Sequence, residues 1–159
     1  MPRHQRRNAE SNAQVGKDFE DLAYEHFRND IPDLTPNFEI PIGIYAQKPH
    51  RFDLGSHAHK TLIECKSHTW TAGGNVPSAK LTGWDQAMLY FYLAPRSYRK
   101  IMFVKYVWSE KKQESLCEYY LRTHPHVIPD EVEFWEANEG EDTISRVSFD
   151  LTAKKYKTE

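Results

Sequence analysis

Residues 50–68 read HRFDLGSHAHKTLIECKSH. Two strand-like runs, HRFDLGS and KTLIECKSH, flank a segment from Gly55 to His59 that is long enough for a hairpin loop, so the runs are expected to pair antiparallel. Side chains alternate along a strand, which puts Leu62, Glu64 and Lys66 on one face and Ile63 and Cys65 on the other. A desolvated charge must be paired or coordinated, so the charged pair that follows TLI has to face either solvent or a site. Asp53, eleven residues before Glu64, sits on the partner strand and brings a second carboxylate within reach. Cys65 points to the opposite side and is read as structural.

Upstream, Val15, Phe19, Leu22, Ala23 and Phe27 recur at helical spacing, and Pro32 and Pro36 follow the helix they predict. Phe38, Ile40, Ile42 and Ile44 alternate as in a strand, with Pro41 favouring a sheet edge. Downstream, TAGGNVP at residues 71–77 has the composition of a loop. Thr82 and Asp85 have capping-box spacing for a helix that runs to about Leu93, ahead of Pro95. IMFVKYVW is expected to be a buried strand, and Ser109 to open a helix with Leu116, Cys117, Tyr120 and Leu121 facing inward. Val132 and Phe134, then Val147, Phe149 and Leu151, suggest a final hairpin turning at Asn138 to Gly140. The order of helix, three strands, helix, strand, helix, two strands predicts a mixed α/β architecture with a central mixed sheet flanked by helices.

At 159 residues, 39% hydrophobic and 13% aromatic, the chain fits one folded domain over residues 13–152, with a basic flexible arm at 1–12 and a tail at 153–159. It has neither the apolar run of about 18 residues that a membrane span needs nor a signal-peptide pattern, so a cytoplasmic protein with no membrane partner is expected. Two cysteines, Cys65 and Cys117, exclude a disulfide framework and a four-cysteine zinc or iron-sulfur site within the chain. The net charge of −2 hides an asymmetry: residues 44–108 hold nine basic side chains against three acids, leaving twelve basic and twenty acidic residues elsewhere. A basic middle between acidic flanks suits a local anion-binding face.

Two carboxylates beside an ammonium suit metal-assisted phosphodiester hydrolysis, in which a divalent cation neutralises the phosphate and activates water. Mg²⁺, or Mn²⁺ in its place, prefers oxygen ligands and keeps several waters, so Asp53 and Glu64 would suffice as protein carboxylates. Lys66 would orient or deprotonate the attacking water and stabilise developing charge. Asp53, ten intervening residues and then Glu64-Cys65-Lys66 resemble the D-x(n)-(D/E)-x-K signature of the PD-(D/E)xK, or restriction-endonuclease-like, nucleases. Phe52 stands where that family often has proline. Gly16-Lys-Asp-Phe-Glu20 resembles the family's early G-x-x-x-E helix, and Gln86-Ala-Met-Leu-Tyr90 the Q-x-x-x-Y motif of RecB-type nucleases.

The resemblance spans about half the chain, from Gly16 to Tyr90, and implies a restriction-endonuclease-like core. It also implies that Glu20 and the main-chain carbonyl of Cys65 join the metal ligands and that Gln86 approaches the site. Lys80, Tyr90, Arg51 and Trp70 are read as nucleic-acid contacts, Trp70 by stacking on a base. The implied activity is DNA endonuclease cleavage, restriction-like or Holliday junction resolvase-like, with specificity from loops, a homodimer or a partner subunit. The competing class is a noncatalytic nucleic-acid-binding or assembly module on a nuclease-like fold. His57-Ala-His59 and His124-Pro-His126 lack further ligands at zinc-like spacing and are read as surface histidines.

Overall fold

The computed structural model describes the backbone of residues 2–149 and the side chains of residues 12–149. Helix α1 (Pro2–Phe27) leads into β1 (Thr35–Ile42), β2 (Lys48–Ser56) and β3 (Thr61–Lys66), followed by α2 (Ser78–Leu93) and β4 (Arg99–Lys105). A two-stranded hairpin, β5 (Trp108–Ser109) and β6 (Glu114–Ser115), precedes α3 (Leu116–Thr123), a 3₁₀ turn (Pro125–Val127), β7 (Val132–Asn138) and β8 (Thr143–Arg146). Six strands form one mixed sheet in the order β1-β2-β3-β4-β7-β8. β3, β4 and β7 run parallel and the outer pairs antiparallel. No helix among the described residues is long and apolar enough to cross a membrane.

Both faces of the sheet are covered. Phe19, Ala23 and Phe27 of α1 pack on Leu54, Ile63, Ile101 and Phe103. On the other face, Trp84, Ala87, Met88 and Phe91 of α2 and Leu116, Cys117, Tyr120 and Leu121 of α3 pack on Phe52, Leu62, Met102, Val104 and Phe134. A parallel strand covered on both sides reads as a continuous apolar run, as Ile101-Met-Phe-Val104 does. Each such side chain, fully buried, contributes roughly 1.5–3 kcal/mol.

Several boundaries differ from those read in the sequence. α1 begins at Pro2 rather than near Val15, because Pro suits a first helical turn and the Arg-, Glu-, Gln- and Ala-containing stretch after it has helical propensity without apolar periodicity. α2 starts at Ser78, with Pro77 before it and no side-chain cap. Thr82 Oγ1 donates instead to the Ser78 carbonyl, and Asp85 accepts from the Tyr120 hydroxyl at 2.8 Å. Ser109 belongs to the small hairpin, and the capping box of α3 is Ser115 with Glu118. β1 lies at the sheet edge but stops at Ile42, leaving Ile44 exposed. β8 ends at Arg146, while Val147 and Phe149 pack against the core of the α2–α3 face. Leu151 and the tail at 153–159 lie outside the described residues.

The acids after Asp130 are not a plain solvated face. Glu131 accepts from Lys100 Nζ at 2.8 Å, and Glu133 takes a two-pronged bond from Arg99. Lys100 is 0% exposed. Arg99 and Lys100 therefore neutralise neighbouring acids at the start of β4, which shrinks the basic face inferred from composition. Glu136 is half-buried, and burial raises its carboxyl to about 7.

Candidate active site

The site forms where β2 turns over. Residues two apart in a regular strand share a face, yet Phe52 packs on the α2–α3 side and Leu54 on the α1 side. Asp53 sits at this twist, opposite Asn37 of β1, whose φ of 52° is left-handed and eases the local turn. Gly55 permits the close crossing, since a Cβ there would fall inside the Phe38 ring.

Beyond the Leu54–Ile63 pair the β2–β3 ladder stops, and the Asp53 carboxylate takes over by accepting from the Cys65 main-chain N–H at 2.8 Å. This bond anchors Asp53 to the residue between Glu64 and Lys66. Lys66 Nζ lies 3.7 Å from Glu64 Oε2, which is 9% exposed at its side chain. Glu20 of α1 shares a cleft of about 790 Å³ with Asp53, Cys65 and Lys66, and the wall facing α1 is residues 67–71 and the start of α2. The cleft opens at the carboxyl end of β3, the end at which open α/β sheets bind ligands.

Burial, and then the neighbouring carboxylates, set the electrostatics. Burial, then the charge of Glu64, lifts the Asp53 carboxyl to about 7 against the opposing Cys65 hydrogen bond. Burial also raises Glu20 above the ordinary carboxylate range. A bound cation would relieve the repulsion that now favours protonated Asp53. The Cys65 thiol is pushed up by burial and by Asp53 and Glu64, as suits an inert side chain.

The structure thus brings Asp53, Lys66 and Glu20 to one cleft, while Glu64, outside the cleft lining, sits beside Lys66 and His50 and close enough for its charge to act on Asp53. It places the other expected residues differently. Gln86 is exposed and lies outside the cleft lining. Tyr90 lies outside the cleft lining and stacks on His50, with ring centroids 3.9 Å apart, and the His50 Nε2 is 3.9 Å from Glu64 Oε1. Arg51 is exposed on β2 away from the cleft, whereas Lys80 is exposed at its rim. Trp70 lines the cleft but is 9% exposed and donates from Nε1 to the Val107 carbonyl, which leaves little of its ring accessible. His59 binds Asp33 at 2.7 Å and His57 meets the Tyr98 hydroxyl at 3.2 Å, so both histidines tie the β2–β3 turn to its surroundings.

Two histidines escaped the sequence reading. His50 is buried at Nε2 with no hydrogen-bond partner there among the described residues. His68, two residues after Lys66, lines the cleft and accepts at Nδ1 from Trp84 Nε1 at 3.0 Å. Burial, then Lys66 and Lys80, pushes the His68 imidazole below its ordinary pKa. The only sequence signal for His68 was its position at the end of the strand that carries Glu64 and Lys66.

Among the described residues, no group of three or more His, Cys, Asp and Glu side chains is arranged to hold a metal ion. A site of two carboxylates, a main-chain carbonyl and waters does not require such a group. Comparisons of the chain with family models, with curated proteins and with solved structures find no match.

Proposed function

We propose that this protein is a divalent-metal-dependent nuclease of the PD-(D/E)xK kind, with a restriction-endonuclease-like core, that hydrolyses DNA phosphodiesters. The observation that carries the reading is the Asp53 carboxylate bonded to the Cys65 N–H, between Glu64 and Lys66, in an open cleft that Glu20 also lines. The donor set fits Mg²⁺ or Mn²⁺: Asp53, Glu64 and the Cys65 carbonyl would hold the ion, with Glu20 adding charge to the site. Bound there, the metal would supply Lewis-acid stabilisation of the phosphate and a more acidic water.

The chain's own groups account for the rest. Lys66 neutralises charge on the phosphate and orients the attacking water, and its position 3.7 Å from Glu64 keeps its ammonium beside the carboxylates. Lys80 at the rim attracts the backbone of the substrate. Asp53 is fixed by its bond to β3 and needs little rearrangement to act as a ligand. A second copy or partner subunit has one surface in its favour: Ile44 and Tyr45 in the β1–β2 turn and Leu89 and Tyr92 on the outer side of α2 are exposed apolar side chains.

The test is a panel of linear, circular and four-way-branched DNA and of RNA, incubated with Mg²⁺ and with chelator. Cleavage of circular or branched DNA in Mg²⁺ and none in chelator is expected. Binding of DNA without cleavage of any substrate would reject the enzyme in favour of a noncatalytic module. Cleavage only from free ends, or only of RNA, would reassign the class of nuclease.

A further inference from the structure

We propose that His68 is a catalytic residue of this cleft, donating its Nε2–H to a nonbridging oxygen of the bound phosphodiester, and that buried Trp84 is the positioning residue that selects the tautomer able to do so. The inference rests on the nuclease reading of the same site and names a substrate-contacting group that neither the D-x(n)-(D/E)-x-K pattern nor the composition identifies.

An indole N–H can only donate. Trp84 Nε1 lies 3.0 Å from His68 Nδ1, so Nδ1 must be the accepting, unprotonated nitrogen, and in the neutral ring the proton resides on Nε2. Trp84 is fully buried on α2, packed 5.0 Å from the Tyr120 ring, so the donor is held by the core rather than by the loop that carries His68. Outer partners of this kind fix the tautomer and direction of functional imidazoles.

Among the described residues the remaining nitrogen has no partner, since His68 makes no hydrogen bond besides that to Trp84. Its side chain lines the cleft that also contains Asp53 and Lys66. A neutral ring suits this place, since Lys66 and Lys80 already supply positive charge. A directed N–H in a cleft with two ammonium groups recognises an oxyanion. The substrate class that brings such an oxygen beside a candidate metal site is a phosphodiester.

The experiment combines kinetics with nitrogen NMR on the full chain. In His68→Leu, kcat/KM for Mg²⁺-dependent DNA cleavage should fall about 10²-fold, the scale of losing one donor to developing charge. Mn²⁺ affinity by calorimetry should stay at the wild-type value, and His68→Gln, which can accept from Trp84 and still donate, should recover most of the loss. Activity of His68→Leu within about threefold of wild type, or His68→Gln as impaired as His68→Leu, would overturn the proposal. NMR of the wild type should show the Nε2–H tautomer, with the Nε2 signal moving when a short DNA duplex is added in chelator. An Nδ1–H tautomer, or an unmoved signal, would also overturn it. The NMR arm decides the matter even if the wild type cleaves nothing, a result that would sink the nuclease reading separately.

Discussion

Lys66→Ala is expected to lower turnover by roughly 10³- to 10⁴-fold while leaving affinity for DNA and for divalent metal nearly intact. The reason is positional. Lys66 stands 3.7 Å from Glu64 and lines the cleft with Asp53, yet it offers a cation no ligand. Its removal takes away charge that opposes a metal ion, so metal affinity should hold or rise slightly. The loss should fall on kcat rather than KM, because the ammonium acts most strongly on charge that develops during the reaction. Single-turnover cleavage alongside calorimetric Mn²⁺ titration separates the two quantities. Wild-type cleavage by Lys66→Ala, or loss of metal binding with it, would contradict this role.

The second large effect concerns stability. Lys100 is wholly buried, and its ammonium reaches Glu131 across the parallel strands at 2.8 Å. Glu131→Ala would strand a buried cation and should destabilise the fold by about 3–5 kcal/mol. Lys100→Met removes the cation and keeps most of the volume, so its cost should be small. In a Lys100→Met background the Glu131→Ala penalty should largely vanish, which a urea-denaturation double-mutant cycle measures. A Glu131→Ala variant as stable as wild type would show that Glu131 does not neutralise the buried Lys100 ammonium. The pH dependence follows from the same pair. Although burial acts to raise it, the hydrogen bond from Lys100 holds the Glu131 carboxyl down at about 2. A carboxyl depressed in the folded state contributes stability above its unfolded value, about 4.5, and that contribution is lost as the pH falls toward 2.

Legibility followed the range of the interactions. The apolar run before Glu64 and the alternation of β3 were readable because both are local, and they placed Glu64 and Lys66 on one strand face. The antiparallel partner carrying Asp53 followed from the short Gly55–His59 connection. The turn-over at Asp53 was not readable, since Phe52 and Leu54 look alike in sequence and only the packing assigns them to opposite cores. Thr82 and Asp85 mimicked a capping box because that pattern is short, and the Tyr120 hydroxyl claimed Asp85 from 35 positions away. Lys100 counted toward a basic face until the parallel register set it beside Val132, within reach of Glu131. His68 stayed hidden for the same reason: its partner, Trp84, is sixteen residues on and reads as core.

Under the proposed function Asp53 and Glu64 jointly hold a divalent cation. The most direct measurement is calorimetric titration of Mn²⁺ into wild type and Asp53→Asn at pH 8, above the value of about 7 that the Asp53 carboxyl reaches without metal. Saturable binding by the wild type that weakens at least about tenfold in Asp53→Asn, a change of 1.4 kcal/mol, is the predicted result. Equal binding by both proteins, or none by the wild type, would contradict it.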